Sequence, residues 1–311
     1  MNAVAAADRA RRHTRYFLQW ARSASPVHLA AEVDMSAIEA HRSAARAAGT
    51  RSSVAGWLVW AASRVMAAHP EANAAAAGLV APRTVRYDAV HVKLAMDRMT
   101  PQGRCVRTAV LHHADRLEFD AIQQFVDRCR DGGEDASASG DRIRLLGRLP
   151  APVGRLAFRT AMARTARRPE LLGSVAVSSL GNHRADTFHA YGGTAVTLNA
   201  GRIAQRPVVR QGQVVAAPVM RLGMTFDHRV IDGAAAADVL DDLVHLLEGC
   251  DAVSAGGWHA PQLRPVGHRT APGGDGPGRA LAAGPRRPAG PGQRDRSRAA
   301  EGLDPRRPGG A

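Results

Sequence analysis

Residues 222–233 read Leu222-Gly223-Met224-Thr225-Phe226-Asp227-His228-Arg229-Val230-Ile231-Asp232-Gly233, and an Ala- and Leu-rich run, 234–248, follows them. Apolar residues alternate up to Phe226, as in a half-buried strand; beyond Gly233 they recur at helical spacing through Leu240, Leu243 and Leu246. A strand therefore ends near His228 and a helix, Ala234 to Glu248, opens just after it. A histidine at such a junction is held by backbone on both sides. Asp232 falls beside the helix N-terminus, where a carboxylate is favoured, and Gly233 permits a tight approach of the backbone. The spacing by itself is weak evidence: His-x-x-x-Asp-Gly arises by chance in roughly one of a dozen chains of this composition, and a surface histidine ahead of a helix cap would look the same.

Working outward, strand-like segments run over Pro26 to Val33, Val85 to Met96, Cys105 to Leu111, Ser174 to Ser179, Thr194 to Ile203 and Gln213 to Phe226. Helices are predicted between the capping box Ser36-Ala-Ile-Glu39 and Gly49, from Ser53 to Ala68, and from Asp120 to Arg130. The second is apolar on most sides and belongs in a core. Strands interleaved with helices predict an α/β layer architecture. The Gly-, Ala- and Arg-rich stretch Asp131 to Arg168 has no decisive pattern, and no period of 20–50 residues recurs.

The 311 residues are 45% hydrophobic and 23% charged, enough to bury a core. The best apolar run, Val54 to Ala62, stops at Ser63-Arg64, too short to span a membrane, and Met1 to Arg12 has no apolar stretch of a secretory signal. These features lead to the expectation of a cytoplasmic protein. Cys105, Cys129 and Cys250 are widely spaced, so neither a disulfide framework nor a paired-cysteine metal site is expected, and the site should hold no metal. His112-His113 lacks further ligands at useful spacing and reads as a decoy. A formal net charge of +14 invites a nucleic-acid reading. However, Pro261 to Ala311 holds 9 Pro, 11 Gly and 10 Arg against 4 acids and no aromatic residue. Such a tail cannot offset its own chain entropy by burial. The expected organisation is a folded domain over 1–252 and a disordered Pro/Gly/Arg-rich tail over 253–311, with no specific nucleic acid and no membrane as partner.

Asp227-His-Arg-Val-Ile-Asp-Gly233 resembles the active-site signature of the dihydrolipoamide acyltransferase catalytic domains of 2-oxo acid dehydrogenase complexes. Val177-Ser178-Ser179-Leu180-Gly181, Gly201-Arg202-Ile203, His69-Pro70-Glu71-Ala72-Asn73 and Glu32-Val33-Asp34 resemble further segments of that family in the same order, from about Arg11 to Glu248. Asp227 stands where the related chloramphenicol acetyltransferases and peptide-synthetase condensation domains carry a first histidine, which favours the dihydrolipoamide branch. The resemblance implies a chloramphenicol acetyltransferase-like two-layer sandwich, a mixed sheet with helices packed on it. It implies an acyltransferase moving an acyl group between coenzyme A and a thiol, with His228 as general base, Ser178 as oxyanion donor and Asp232 fixing the loop through an N-terminal arginine; Arg11, Arg12 and Arg15 are the candidates. It also implies a homotrimer, or a multiple of one, with base and serine facing each other across a subunit boundary. Without the resemblance, Ser178 reads as an ordinary strand-end serine, and Thr225 and Asp227 as structural.

Two departures bear on the acceptor. The sole lysine, Lys93, lies in Val90-His-Val-Lys-Leu-Ala-Met96 rather than in the Asp-Lys-Ala turn that carries a lipoyl group, so the lipoyl group is expected on a separate carrier protein or a free molecule. Phe188-His-Ala-Tyr-Gly-Gly193 and Gly103-Arg-Cys-Val-Arg-Thr-Ala-Val110 differ from the family's channel segments. An acyltransferase acting on an amine or hydroxyl in specialised metabolism, or a catalytically silent trimeric scaffold, are the alternative readings.

Overall fold

The computed structural model describes residues 12–78, 81–100, 103–131, 145–146 and 148–249. The long strand β8 (Gln213–Asp227) is the axis of a six-stranded mixed sheet with β1 (Pro26–Asp34), β7 (Val196–Arg210), β6 (Val175–Ser179), β4 (Val92–Thr100) and β5 (Gly103–Leu111). The order is β1-β8-β7-β6-β4-β5. β6 runs parallel to β4 and β7, and the remaining pairs are antiparallel. Around it lie helices α1 (Arg12–Ala21), α2 (Ser36–Ala47), α3 (Val54–Ala68), α4 (Phe119–Asp131), α5 (Ala151–Ala163), α6 (Arg168–Leu172) and α7 (Gly233–Glu248), with a small hairpin, β2 (Ala74–Ala77) and β3 (Arg83–Arg86). The α/β class and the mixed sheet with helices are as the sequence leads one to expect.

Alternation along the strands divides the sheet into two faces. Val175, Val177, Leu198, Met224 and Phe226 join Trp57, Leu58 and Val65 of α3 and Leu243 of α7 in the main core, where Cys129 of α4 is also buried. α3 is apolar nearly all round because it is enclosed nearly all round. Ser53 caps it by accepting from Gly56 N–H at 3.0 Å, and Gln123 Oε1 of α4 accepts in turn from Ser53 N–H and Oγ–H, both at 2.9 Å. At its far end the buried His69 touches Glu71 through Nδ1 at 3.0 Å and Asp242 of α7 through Nε2 at 2.8 Å. That clamp is the structural content of the His-Pro-Glu-Ala-Asn segment, together with Asn73 Nδ2, which donates to Tyr87 O and Ala89 O. His69→Ala is expected to lower unfolding stability by about 2–3 kcal/mol by stranding both carboxylates, measurable as a lower urea midpoint at unchanged slope.

Several expectations need correction. Ser36 does not form a capping box, since the N-cap residue is Met35 and no side chain caps it. Instead Asp34 Oδ1 accepts from Ser36 N–H at 3.0 Å, and Arg210 donates to both Asp34 and Ser36 Oγ. Here the tertiary contact to β7 wins over the local motif. The segment Val85 to Met96 is not one strand: β3 pairs with β2, and Tyr87 N–H then turns away to Asn73 O. The alanines of β2 have helix-favouring propensity, and hairpin pairing overrides it. α1 and α5 were not marked by the sequence pattern. Cys250, the side chain of Cys105, Arg11 and the stretch 253–311 lie outside the described residues.

The opposite face of the sheet is polar. One row across it runs Lys93, Ala176, Thr197, Thr225, His28 from β4 to β1. Tyr16, Phe158, Met162 and Leu172 form a smaller cluster, with Phe17 and Trp20 of α1 against it. Buried Lys93 donates from Nζ to Gly192 O, lies 5.5 Å from the Phe17 ring centre, and is pushed down to about 8 by desolvation. Its folded pKa is thus below its unfolded value near 10.5, so the burial cost is constant below pH 8 and is relieved as pH rises. Unfolding free energy is expected to climb by up to about 3 kcal/mol between pH 8 and 10.5, and Lys93→Met to abolish the climb in denaturant titrations between pH 7.5 and 9.5.

Candidate active site

His228 follows directly on β8, its N–H donating to Ser25 O at 2.9 Å, and its ring lies 5.7 Å from that of Phe226. The side chain is 48% exposed and edges a cavity of about 460 Å³ with Ser25, Pro26, Val27 and Arg229. Its position is imposed from both sides. Ile231 is buried in the core, and Asp227 is buried beside Arg229, which donates to its carboxylate from Nε at 2.9 Å and Nη2 at 2.6 Å. Ser25 N–H, Arg229 N–H and Tyr191 Oη–H add further donors at 3.2, 3.2 and 3.3 Å. Burial alone would raise the Asp227 pKa, but these hydrogen bonds outweigh it and hold the carboxyl below its ordinary range. Burial, then the Asp227 charge, push Tyr191 well above the usual phenol. The loop therefore keeps a fixed ion pair beneath a half-exposed imidazole.

Asp232 is the N-cap residue of α7, with its carbonyl accepting from Ala236 N–H at 2.9 Å. Its carboxylate is 90% exposed and stands 3.7 Å from His228 Nδ1, beyond hydrogen-bond distance. Among the described residues no arginine pairs with it; Arg12 donates to Leu149 O at 3.0 Å. Among the described residues, Arg229 anchors this loop, through Asp227.

Ser178 is half-buried near the end of β6, on the polar face, in the row Ala95, Ser178, Asn199, Gly223, Ala30. That row lies five residues up β8 from His228 and two strands across. At 3.4 Å per residue and 4.8 Å per strand, the two Cα atoms of one chain are about 20 Å apart. A single chain does not bring His228 and Ser178 to one reacting atom.

Sequence reasoning missed the polar network beside Ser178. Asn199 holds the loop residue Ala190 by two hydrogen bonds and donates to Thr225 Oγ1 at 3.2 Å, which lies 3.0 Å from His28 Nδ1. The His28 and His189 rings are 4.9 Å apart, and burial, then His28, lower the His189 pKa. Gly223 is required here: a Cβ would meet Phe188 O at 2.8 Å and the His189 ring at 3.2 Å. An isolated glycine in a strand was the available signal. Elsewhere, His112 and His113 gather around His91, which burial and then its two neighbours push down to about 4. No group of three or more His, Cys, Asp or Glu among the described residues has the arrangement to hold a metal ion, and no helix among them is long and apolar enough to cross a membrane.

With this geometry in place, comparison with known proteins is informative. The family 2-oxoacid dehydrogenases acyltransferase (catalytic domain) matches residues 4–141 and 157–254. The chain belongs to this family. The acyltransferase domain spans the whole sheet, and the match is interrupted only over 142–156, ahead of and into α5. A curated relative, the dihydrolipoyllysine-residue acetyltransferase component of the pyruvate dehydrogenase complex of Bacillus subtilis, is 52% identical over 50 residues, which are 16% of this chain and 11% of that protein. The same component from Staphylococcus aureus is 50% identical over 50 residues, 16% of this chain and 12% of that protein. The chain thus spans about a tenth of the curated relatives it matches. Among solved structures, the cubic core of a pyruvate dehydrogenase multienzyme complex superposes with a TM-score of 0.56 at 21% identity, covering 79% of this chain and 88% of that one. A probable dihydrolipoamide acetyltransferase from Listeria monocytogenes gives 0.57 at 16% identity, covering 80% and 92%. At these identities the superpositions establish the acyltransferase fold.

Proposed function

We propose that this acyltransferase moves an acyl group between coenzyme A and a thiol, that of dihydrolipoamide on a separate carrier. The observation that carries the reading is the half-exposed His228 held over the buried Asp227–Arg229 pair within a chain of this family. His228 removes the proton of the incoming thiol, whose free pKa near 8.5 leaves it mostly protonated at neutral pH. The thiolate attacks the thioester carbonyl, a C–S bond forms, and the tetrahedral oxyanion is met by a serine hydroxyl. Collapse breaks the bond to the coenzyme A sulfur, which leaves with the proton from His228. Asp232, 3.7 Å from Nδ1, stands on the other side of the imidazole from the reacting thiol. The oxyanion donor is Ser178 of the partner subunit, because one chain holds its own Ser178 about 20 Å from His228. The assembly is a homotrimer or a multiple of one, in the cytoplasm. No metal takes part in the step. Lys93, the sole lysine of the sequence, is buried in β4 and offers no exposed amine for a lipoyl group.

The test is release of coenzyme A from a panel of acyl-CoAs, with and without dihydrolipoamide, in the wild type and His228→Ala. Release that needs dihydrolipoamide and disappears in the variant is expected. Release that does not need it would replace the thiol acceptor by water, an amine or a hydroxyl.

A further inference from the structure

The loop that carries His228 separates two spaces. His228 and Arg229 edge the cavity at Ser25–Val27, and Arg229, with Asp227 and Val230, also closes one end of a second cavity, of about 900 Å³, that His228 does not line. The walls of this second cavity carry Arg83, Arg155, Arg159, Arg168 and Arg229 against one carboxylate, that of Asp227. Asp227 is already engaged by Arg229. Arg168 is buried, donates to Met162 O at 2.8 and 3.0 Å and to Ala76 O at 3.1 Å, and lies 5.5 Å over the Trp20 ring. Among the described residues, Arg83, Arg155 and Arg159 have no acidic partner. Arg155 and Arg159 are one turn apart on the exposed side of α5 and face the same space.

Five guanidinium groups around one concavity repel each other unless negative charge enters it, and each offers a planar fork of donors that fits a phosphate or carboxylate. Arg155 and Leu156 of this wall lie in the segment 142–156, outside the residues that the family matches. We propose that this cavity binds a ligand bearing two or more phosphate or carboxylate groups, at a site separate from the one His228 faces. The inference does not depend on the acyl-transfer reading.

Calorimetric titration of the full chain with inorganic pyrophosphate, and separately with citrate, tests it. Saturable binding of one ion per chain by at least one probe is expected, with the tighter probe identifying phosphate or carboxylate as the recognised group. The double variant Arg155→Ala/Arg159→Ala should weaken it by about tenfold or more. His228→Ala and the charge-matched control Arg116→Ala/Arg128→Ala, on exposed positions outside the cavity, should bind as the wild type does. Absence of saturable binding by both probes would overturn the proposal, as would equal weakening in the control, which would mark a general attraction of anions to a basic chain. Loss of probe binding in His228→Ala would overturn the separateness of the two sites.

Discussion

His228→Ala is expected to lower thiol acylation by about 10²–10⁴-fold at pH 7, the range a positioned general base supplies. The loss should fall on turnover, since the half-exposed ring leaves the anchors of its loop, Asp227 and Ile231, in place, and thermal unfolding should be unchanged. The pH dependence distinguishes a base from a binding residue. As pH rises from 7 to 9 the free thiol, with a pKa near 8.5, ionises in solution and no longer needs a base, so the deficit of the variant should shrink. A variant within a few-fold of wild type at pH 7, or a deficit independent of pH, would remove His228 from the chemistry.

Ser178→Ala is expected to cost about 10²–10³-fold in turnover, the usual effect of losing one oxyanion donor, with little change in KM for acyl-CoA. Separation of the two groups within one chain adds a second readout. If His228 works with Ser178 of the partner subunit, refolding a mixture of His228→Ala and Ser178→Ala chains should rebuild intact sites. Random mixing in a closed ring should return about one quarter of wild-type activity from two inactive parents. Recovery no greater than the sum of the parents would place both groups in a site formed by one chain, or take Ser178 out of it.

Much of this was legible in the residues. Alternation before Phe226 and helical spacing after Gly233 located the β8–α7 junction, because burial on one face of a strand or helix leaves a period in the chain. The enclosed helix α3 was read from its apolar residues on most sides, which burial nearly all round requires. The Ser36 capping motif misled because a local motif cannot register Arg210, which reaches it from 174 residues away. The alanines of β2 and the helix α5 escaped because their states are set by a hairpin partner and by packing against α1, not by their own pattern. Asp227 was read as structural; the structure gives it the central place in the loop through Arg229, while Asp232 remains largely in water.

By itself, the sequence determined the α/β class, the family and the candidate residues His228, Ser178 and Asp232, since periodicity and ordered motifs are properties of residue order. Only the tertiary structure decided which charges meet. It paired Arg229 with Asp227, buried the sole lysine under α1, set His228 and Ser178 of one chain on distant rows of the sheet, and gathered arginines from β3, α5 and α6 and the reactive loop around one cavity. Those outcomes depend on strand order and register, and hence on contacts between residues far apart in the chain, which no local pattern encodes.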